Sequence, residues 1–240
     1  MLAFLILGLT VGMAHALEAD HLAAVGAMAA RKTLSHRRMA WLGASWGLGH
    51  TTTLLLMSMP VVLLGLALSA RMASGLEFAV GIMLVVMGGG VLRKLYRTRM
   101  HIHVHDHTDG SRHFHAHSHQ DAAQPHKQDA HDHNHVSRFS KRSYLVGMIH
   151  GMAGSAALVA MAAAATQSIV ATLGYIVAFG LGSTLGMAAL TLVLSWPLQH
   201  AERAAGRVFR GVQYALAGAA IIVGAGVMAA SGPVIWGGGL

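Results

Sequence analysis

The 240-residue chain is 54% hydrophobic and only 11% charged, far below the roughly 25% charged residues of a soluble domain, which excludes that class and indicates an integral membrane protein. Its net charge of +8 comes from Lys and Arg clustered beside apolar segments, a topology signal rather than a nucleic-acid surface, so no nucleic-acid partner is expected. The chain has no cysteine, which excludes disulfides, thiolate metal sites and cysteine nucleophiles.

Apolar stretches of about 20 residues or more can cross a hydrocarbon core of about 30 Å as helices. The pattern predicts an all-α polytopic protein with six spans, near residues 2–30, 39–68, 76–92, 143–165, 170–196 and 211–230. The first segment has no positive n-region and stays apolar past His21, so it reads as a membrane helix and not as a cleaved signal peptide. Several spans exceed the minimum length, which calls for tilted, broken or partly interfacial helices. Arg31, Lys32, Arg37 and Arg38 follow the first span, nine basic residues lie from Arg93 to Arg142, and Arg203, Arg207 and Arg210 follow the fifth. Sixteen of the 17 basic residues thus fall on one side, with Arg71 alone on the other. The positive-inside rule then places both termini outside and the long loop in the cytoplasm, with the plasma membrane (the inner membrane in a bacterium) as the expected location.

The two halves repeat. VGMAH at Val11 to His15 recurs as VGMIH at Val146 to His150, and Trp46-Gly-Leu-Gly-His-Thr51 recurs as Phe179-Gly-Leu-Gly-Ser-Thr184. The third span from Glu77 aligns without a gap to the sixth from Gln213, and the three offsets are 135, 133 and 136 residues. Each unit holds an odd number of spans, so the second copy is expected upside down relative to the first. This three-plus-three inverted repeat is a recurring transporter architecture with its site near the midplane. The expected division is 1–98 for the first repeat, 99–142 for a cytoplasmic loop and 143–240 for the second repeat.

An ionisable side chain inside a span costs several kcal/mol unless it has a partner or a polar cavity. The few present are His15, Glu18, Asp20 and His21 in the first span, His50 in the second, Glu77 near the outer end of the third, and His150 in the fourth. Counted from the basic ends at about 1.5 Å per residue, His21, His50 and His150 lie roughly 15, 18 and 12 Å deep, close enough to converge on one site. Neutral imidazoles with one or two carboxylates suit a divalent transition metal better than Mg or Ca. On a regular helix, however, His15, Asp20 and His21 point in three directions. Either the helix unwinds through the motif, which is the preferred reading, or one of the three orients a ligand histidine. Met13 and Met148 occupy matching repeat positions and are weaker candidates.

The loop holds 12 of the 18 histidines, with His-x-His alternation at His101, His103, His105, His107, His113, His115, His117, His119, His131, His133 and His135. Its polar composition predicts disorder, and its closely spaced imidazoles predict weak binding of divalent metal at several places. Most of the 29 glycines read as points of close helix approach. Gly47 and Gly49, beside His50, also permit a bend there.

With these residues in view, GMAHALEADHLAAV at Gly12 to Val25 resembles the first-helix signature of the nickel/cobalt transporter family, and WGLGHTTTL at Trp46 to Leu54 its second histidine motif. HGMAGSAAL at His150 to Leu158 is similar to the shorter six-helix members, some described as urease-accessory membrane proteins. The resemblance implies movement of Ni(II) or Co(II) as transported ion, with no organic cofactor and with His15, Asp20, His21 and His50 in metal selection. A later aspartate motif of the longer permeases has no counterpart, since Gly180 to Thr184 is neutral. A histidine-rich loop also resembles the related exporters, but Asp20 favours uptake over efflux. A third reading is a membrane accessory protein that hands metal to an apoenzyme without net transport. A metallochaperone or a second copy of the chain is the expected protein partner. No His-Glu-x-x-His and no nucleotide-binding loop is present, so neither a metallohydrolase nor an ATP-driven pump is expected.

Overall fold

In lipid every backbone N–H and C=O must be satisfied within its own segment, so the long apolar stretches fold as helices. The protein is described by a computed structural model covering residues 2–30, 35–66, 69–97, 102–106, 112–116, 139–153, 168–204 and 206–237. Among these the helices are α1 (Leu2–His15), α2 (Ala19–Ala30), α3 (His36–Leu64), α4 (Ala70–Arg97), α5 (Lys141–Gly151), α6 (Ile169–Ala204) and α7 (Gly206–Trp236). Helices α3, α4, α6 and α7 are long and apolar enough to cross a membrane, and α1 with α2 reaches that length and apolarity as a pair bent by 55° at the break between them, giving four to five spans among the described residues. Of the expected span 143–165, α5 and the turn to Ala153 are described, and the rest lies outside the described residues. The chain is an integral membrane protein with an all-helical membrane region.

Helices α4, α6 and α7 overrun their expected ends, whereas α3 begins earlier and stops short of its expected end. At about 1.5 Å per residue, the 36 residues of α6 extend roughly 54 Å, so the helix continues past the apolar core into its basic flank. Helix α3 stops where Gly65 takes up the left-handed conformation at φ 64° and donates its N–H to the Pro60 carbonyl, a conformation that costs glycine no Cβ clash. Ser140 caps α5 by accepting the Ser143 N–H at 3.2 Å.

Leu2, Ile6, Leu56, Val86, Val193 and Ile222 are exposed and form the lipid face, whereas Ala, Gly and a few large side chains such as Trp46, Phe179 and Met187 fill the interior. Lipid offers apolar side chains no penalty, so helix association here rests on close packing of small residues. Helix α1 packs along α6 and α5 along α3, while α3 also packs along α6 and α4 along α7. The close approaches come in aligned pairs. Gly12 lies against the Phe179 backbone as Gly147 lies against that of Trp46, and Gly49 lies against Tyr144 as Gly182 lies against Leu9. A Cβ on Gly88 would meet the Ala217 carbonyl oxygen at 2.6 Å, and one on Gly224 that of Gly81 at the same distance. Where α3 crosses α6, Thr51 and Thr184 both donate to the Gly180 carbonyl at 2.9 Å.

The described part of the histidine loop departs from the expected disorder. Residues Ile102–Asp106 (β1) and Arg112–Ala116 (β2) pair antiparallel, with His103 opposite His115 and His105 opposite His113. The cause is legible in the pattern, since alternation of His with Ile102, Val104 and Phe114 has the period of a strand. The other loop histidines, including His101, His107, His117, His119, His131, His133 and His135, lie outside the described residues.

Candidate metal centre

The first span breaks between His15 and Ala19, inside the charged motif. Regular helix would point His15, Glu18, Asp20 and His21 around the whole circumference, part of it into lipid. The chain instead makes a turn, with Leu17 N–H on the Ala14 carbonyl at 2.9 Å and Glu18 N–H on that of His15 at 3.1 Å, and restarts as α2. Asp20 then falls in the first turn of α2, where the helix dipole favours a negative charge. Helix α1 ends at His15, and α5 ends one residue beyond His150. Two helix C-termini, the negative ends of their dipoles, therefore close on the same place.

Four imidazoles meet there. Ring centroids lie 4.5 Å apart for His15 and His21, 5.3 Å for His15 and His50, 5.3 Å for His21 and His50, and 4.2 Å for His21 and His150. His21, His50 and His150 are each about 1% exposed. Two groups bring one potential ligand atom from each member to within 4.8 Å of the others, namely His15 with His21 and His50, and Asp20 with His21 and His150. His21 belongs to both. The expected His21, His50 and His150 do come together, with His50 and His150 centroids 6.0 Å apart; His15 joins the group of His21 and His50, and His150 that of Asp20 and His21.

Hydrogen bonds fix part of the cluster. His15 Nδ1 lies 2.8 Å from Glu18 Oε1, His21 Nδ1 2.9 Å from Asp20 Oδ1, and His150 Nε2 3.0 Å from Asp20 Oδ2. His21 Nε2, His150 Nδ1 and both ring nitrogens of His50 are buried without a partner. Buried polar atoms of a native protein are paired, so four orphaned ring nitrogens in one cluster call for a ligand. Three neutral nitrogens at this spacing, with a carboxylate behind them and no thiolate, form a donor set for a divalent ion of the Ni, Co or Zn type.

Among the other candidates, Met13 is 43% exposed, away from the buried imidazoles, and Met148 is half-buried with its backbone nitrogen beside Gly49. Glu18 is present through His15 alone, and Glu77 belongs to neither group. Reading the sequence did not single out the aromatic walls of the site. Trp46 stands 5.4 Å from both His21 and His150, and Phe179 stands 5.2 Å from His15. Their signal was available, since Trp46 and Phe179 occupy matching places in the two repeated motifs.

Residues 3–227 match the family described as the cytochrome C biogenesis protein transmembrane region. The chain belongs to this family of membrane proteins. The chain is also 32% identical over 206 residues to the urease accessory protein UreH of Bacillus sp. (strain TB-90), an alignment covering 85% of this chain and 81% of the relative. That relative is of the urease-accessory kind to which the histidine motifs point, so the family expectation holds. With no cysteine in the chain, no thiol–disulfide exchange can run through its own residues. No solved structure matches the chain.

Proposed function

We propose that this protein is a secondary membrane carrier that takes up Ni(II) or Co(II), coordinating the ion at the broken first span. The observation that carries this reading is the set of orphaned, buried ring nitrogens on His21, His50 and His150. An imidazole buried in lipid without a partner has no structural purpose that an apolar residue would not serve at lower cost. The imidazoles of His15, His21, His50 and His150 replace part of the ion's water shell, the ionised Asp20 offsets its charge, and the two helix C-termini add their partial negative charge.

The paired contacts between α1–α6 and α5–α3 support the inverted three-plus-three arrangement. In it, two halves rocking against each other at the α3–α6 crossing open the site to one side and then to the other. The positive-inside distribution supports outward termini and a cytoplasmic histidine loop, which collects arriving ions by weak, multiple contacts. No organic cofactor takes part.

The test is cell-associated nickel and cobalt, measured by elemental analysis in cells carrying wild type, His50→Ala or empty vector at sub-micromolar added metal. Uptake gives accumulation above vector that His50→Ala removes. Efflux, the reading favoured by the loop alone, gives a level below vector. The name of the bacillary relative favours a third reading, metal handed to an apoenzyme without flux. That reading requires binding by the purified protein together with no metal entry into proteoliposomes.

A further inference from the structure

Resting on the metal-site reading above, we propose that Asp20 is a positioning residue rather than a ligand: it selects which ring nitrogens of His21 and His150 face the ion. Both of its oxygens are already engaged. Oδ1 accepts from the His21 backbone N–H at 2.8 Å and stands 2.9 Å from His21 Nδ1, while Oδ2 stands 3.0 Å from His150 Nε2. An ionised carboxylate can only accept, so both ring nitrogens facing it must carry hydrogen. A neutral imidazole protonated on one nitrogen presents its lone pair on the other. The lone pairs then belong to His21 Nε2 and His150 Nδ1, which are the ring nitrogens of these residues left buried and unpartnered. The contacts to the carboxylate select these tautomers, and the nitrogens that then carry lone pairs are the buried ones facing the other imidazoles.

The arrangement repeats at His15. Its Nδ1 faces Glu18 Oε1 at 2.8 Å, which leaves Nε2 for the group shared with His21 and His50. Asp20 differs from Glu18 in reach, since it also joins α2 to α5 and so ties the first half of the chain to the second. Three of about four acceptor sites on Asp20 are thus taken, and an ion bound at Oδ1 would displace the His21 ring or its backbone N–H, so that the ring would lose the partner that orients it.

Asp20→Asn separates the two roles. An amide offers one accepting oxygen and a donating NH2, so it can hold only one of the two rings in its native tautomer. The experiment is 15N NMR of the full chain in detergent, histidine-labelled and free of metal, followed by Ni(II) titration and X-ray absorption of the loaded protein. Wild type is expected to show His21 protonated on Nδ1 and His150 on Nε2. Asp20→Asn is expected to invert one of them and to weaken Ni(II) binding about 10- to 100-fold while the Ni(II) shell keeps the same number of imidazoles and oxygens. Asp20→Glu, which keeps a carboxylate, is expected to restore both tautomers. Loss of an oxygen from the Ni(II) shell in Asp20→Asn, or an Nε2-protonated His21 in wild type, overturns the proposal. The metal-free spectra of wild type and Asp20→Glu decide it even where Asp20→Asn does not fold. Native tautomers in a protein that binds no Ni(II) leave the positioning role standing and sink the carrier reading instead.

Discussion

Gly12→Ala adds one methyl group where α1 crosses α6. The new Cβ would lie 2.8 Å from the Phe179 carbonyl carbon and 3.0 Å from its Cα, and closer still to the oxygen. These are backbone atoms of a helix interior and cannot rotate away. Ordinary contact between carbon atoms is about 3.5–4.0 Å, so the helices must separate by roughly 0.5–1 Å. Overpacking of this kind costs about 1–3 kcal/mol. It acts on the site as well, because Gly12 lies one turn before His15 and Phe179 forms the wall beside the His15 ring. Gly89→Ala supplies the control: nothing lies within 4 Å of its added Cβ, and within a helix alanine is favoured over glycine by about 1 kcal/mol. Thermal unfolding of the purified protein in detergent, together with Ni(II) affinity, should show Gly12→Ala destabilised and weaker in binding, and Gly89→Ala slightly stabilised with unchanged affinity. Gly147→Ala, which drives a Cβ into the Trp46 backbone, should match Gly12→Ala in stability because it is the same contact in the other half. A Gly12→Ala protein as stable as Gly89→Ala would refute the packing; unequal losses at Gly12 and Gly147 would count against the inverted repeat.

His21→Ala removes the residue common to both ligand groups and should lower Ni(II) affinity by more than the roughly 10- to 100-fold typical of losing an outer partner, as read by equilibrium titration; a smaller change would move the ion elsewhere. Deleting residues 101–135 should lower the number of ions bound per chain in the same titration while the tightest site persists, and loss of that tight site would place it in the loop. Because the chain has no cysteine, single cysteines report topology cleanly. A membrane-impermeant maleimide should label Ser69→Cys in intact cells and Ser118→Cys only after lysis, and the reverse pattern would invert the orientation.

The sequence carried the membrane class, the long apolar helices and the meeting of the histidines because each rests on a local and strong signal. A charge in an apolar run is conspicuous, and so is a block of Lys or Arg at its edge. The break at His15 to Ala19 also followed from local geometry, since three ionisable residues at that spacing cannot share one face of a helix. What remained hidden depends on rotation about helix axes. Depth along the bilayer put His21, His50 and His150 at one level, but depth does not say which faces meet, and the packing of α1 on α6 brings His15 to His50 while Asp20 takes His150. Trp46 and Phe179 were overlooked for a related reason: an aromatic residue in an apolar run carries no mark of what it lies against. The hairpin in the loop was missed because composition outweighed the two-residue period of its histidines.

The proposed repeat also relates the residues of the site across the two halves. His15 and His150 are aligned residues, so each half contributes the same histidine from the end of its own first helix. The remaining donors break the symmetry. The partner of His50 is Ser183, buried with its hydroxyl unpartnered, and the offset of 135 residues sets Ser155 and Ala156 against Asp20 and His21. A symmetric pair of sites would place several imidazoles and two carboxylates on each side of the α3–α6 crossing, each set needing its own escape from the low-dielectric interior. Under the proposed carrier reading, the repeated frame supplies the two-sided motion and the charged turn between α1 and α2 supplies the chemistry. A carrier needs both, because an ion held by two equivalent sites at once would gain nothing from the movement of one half against the other.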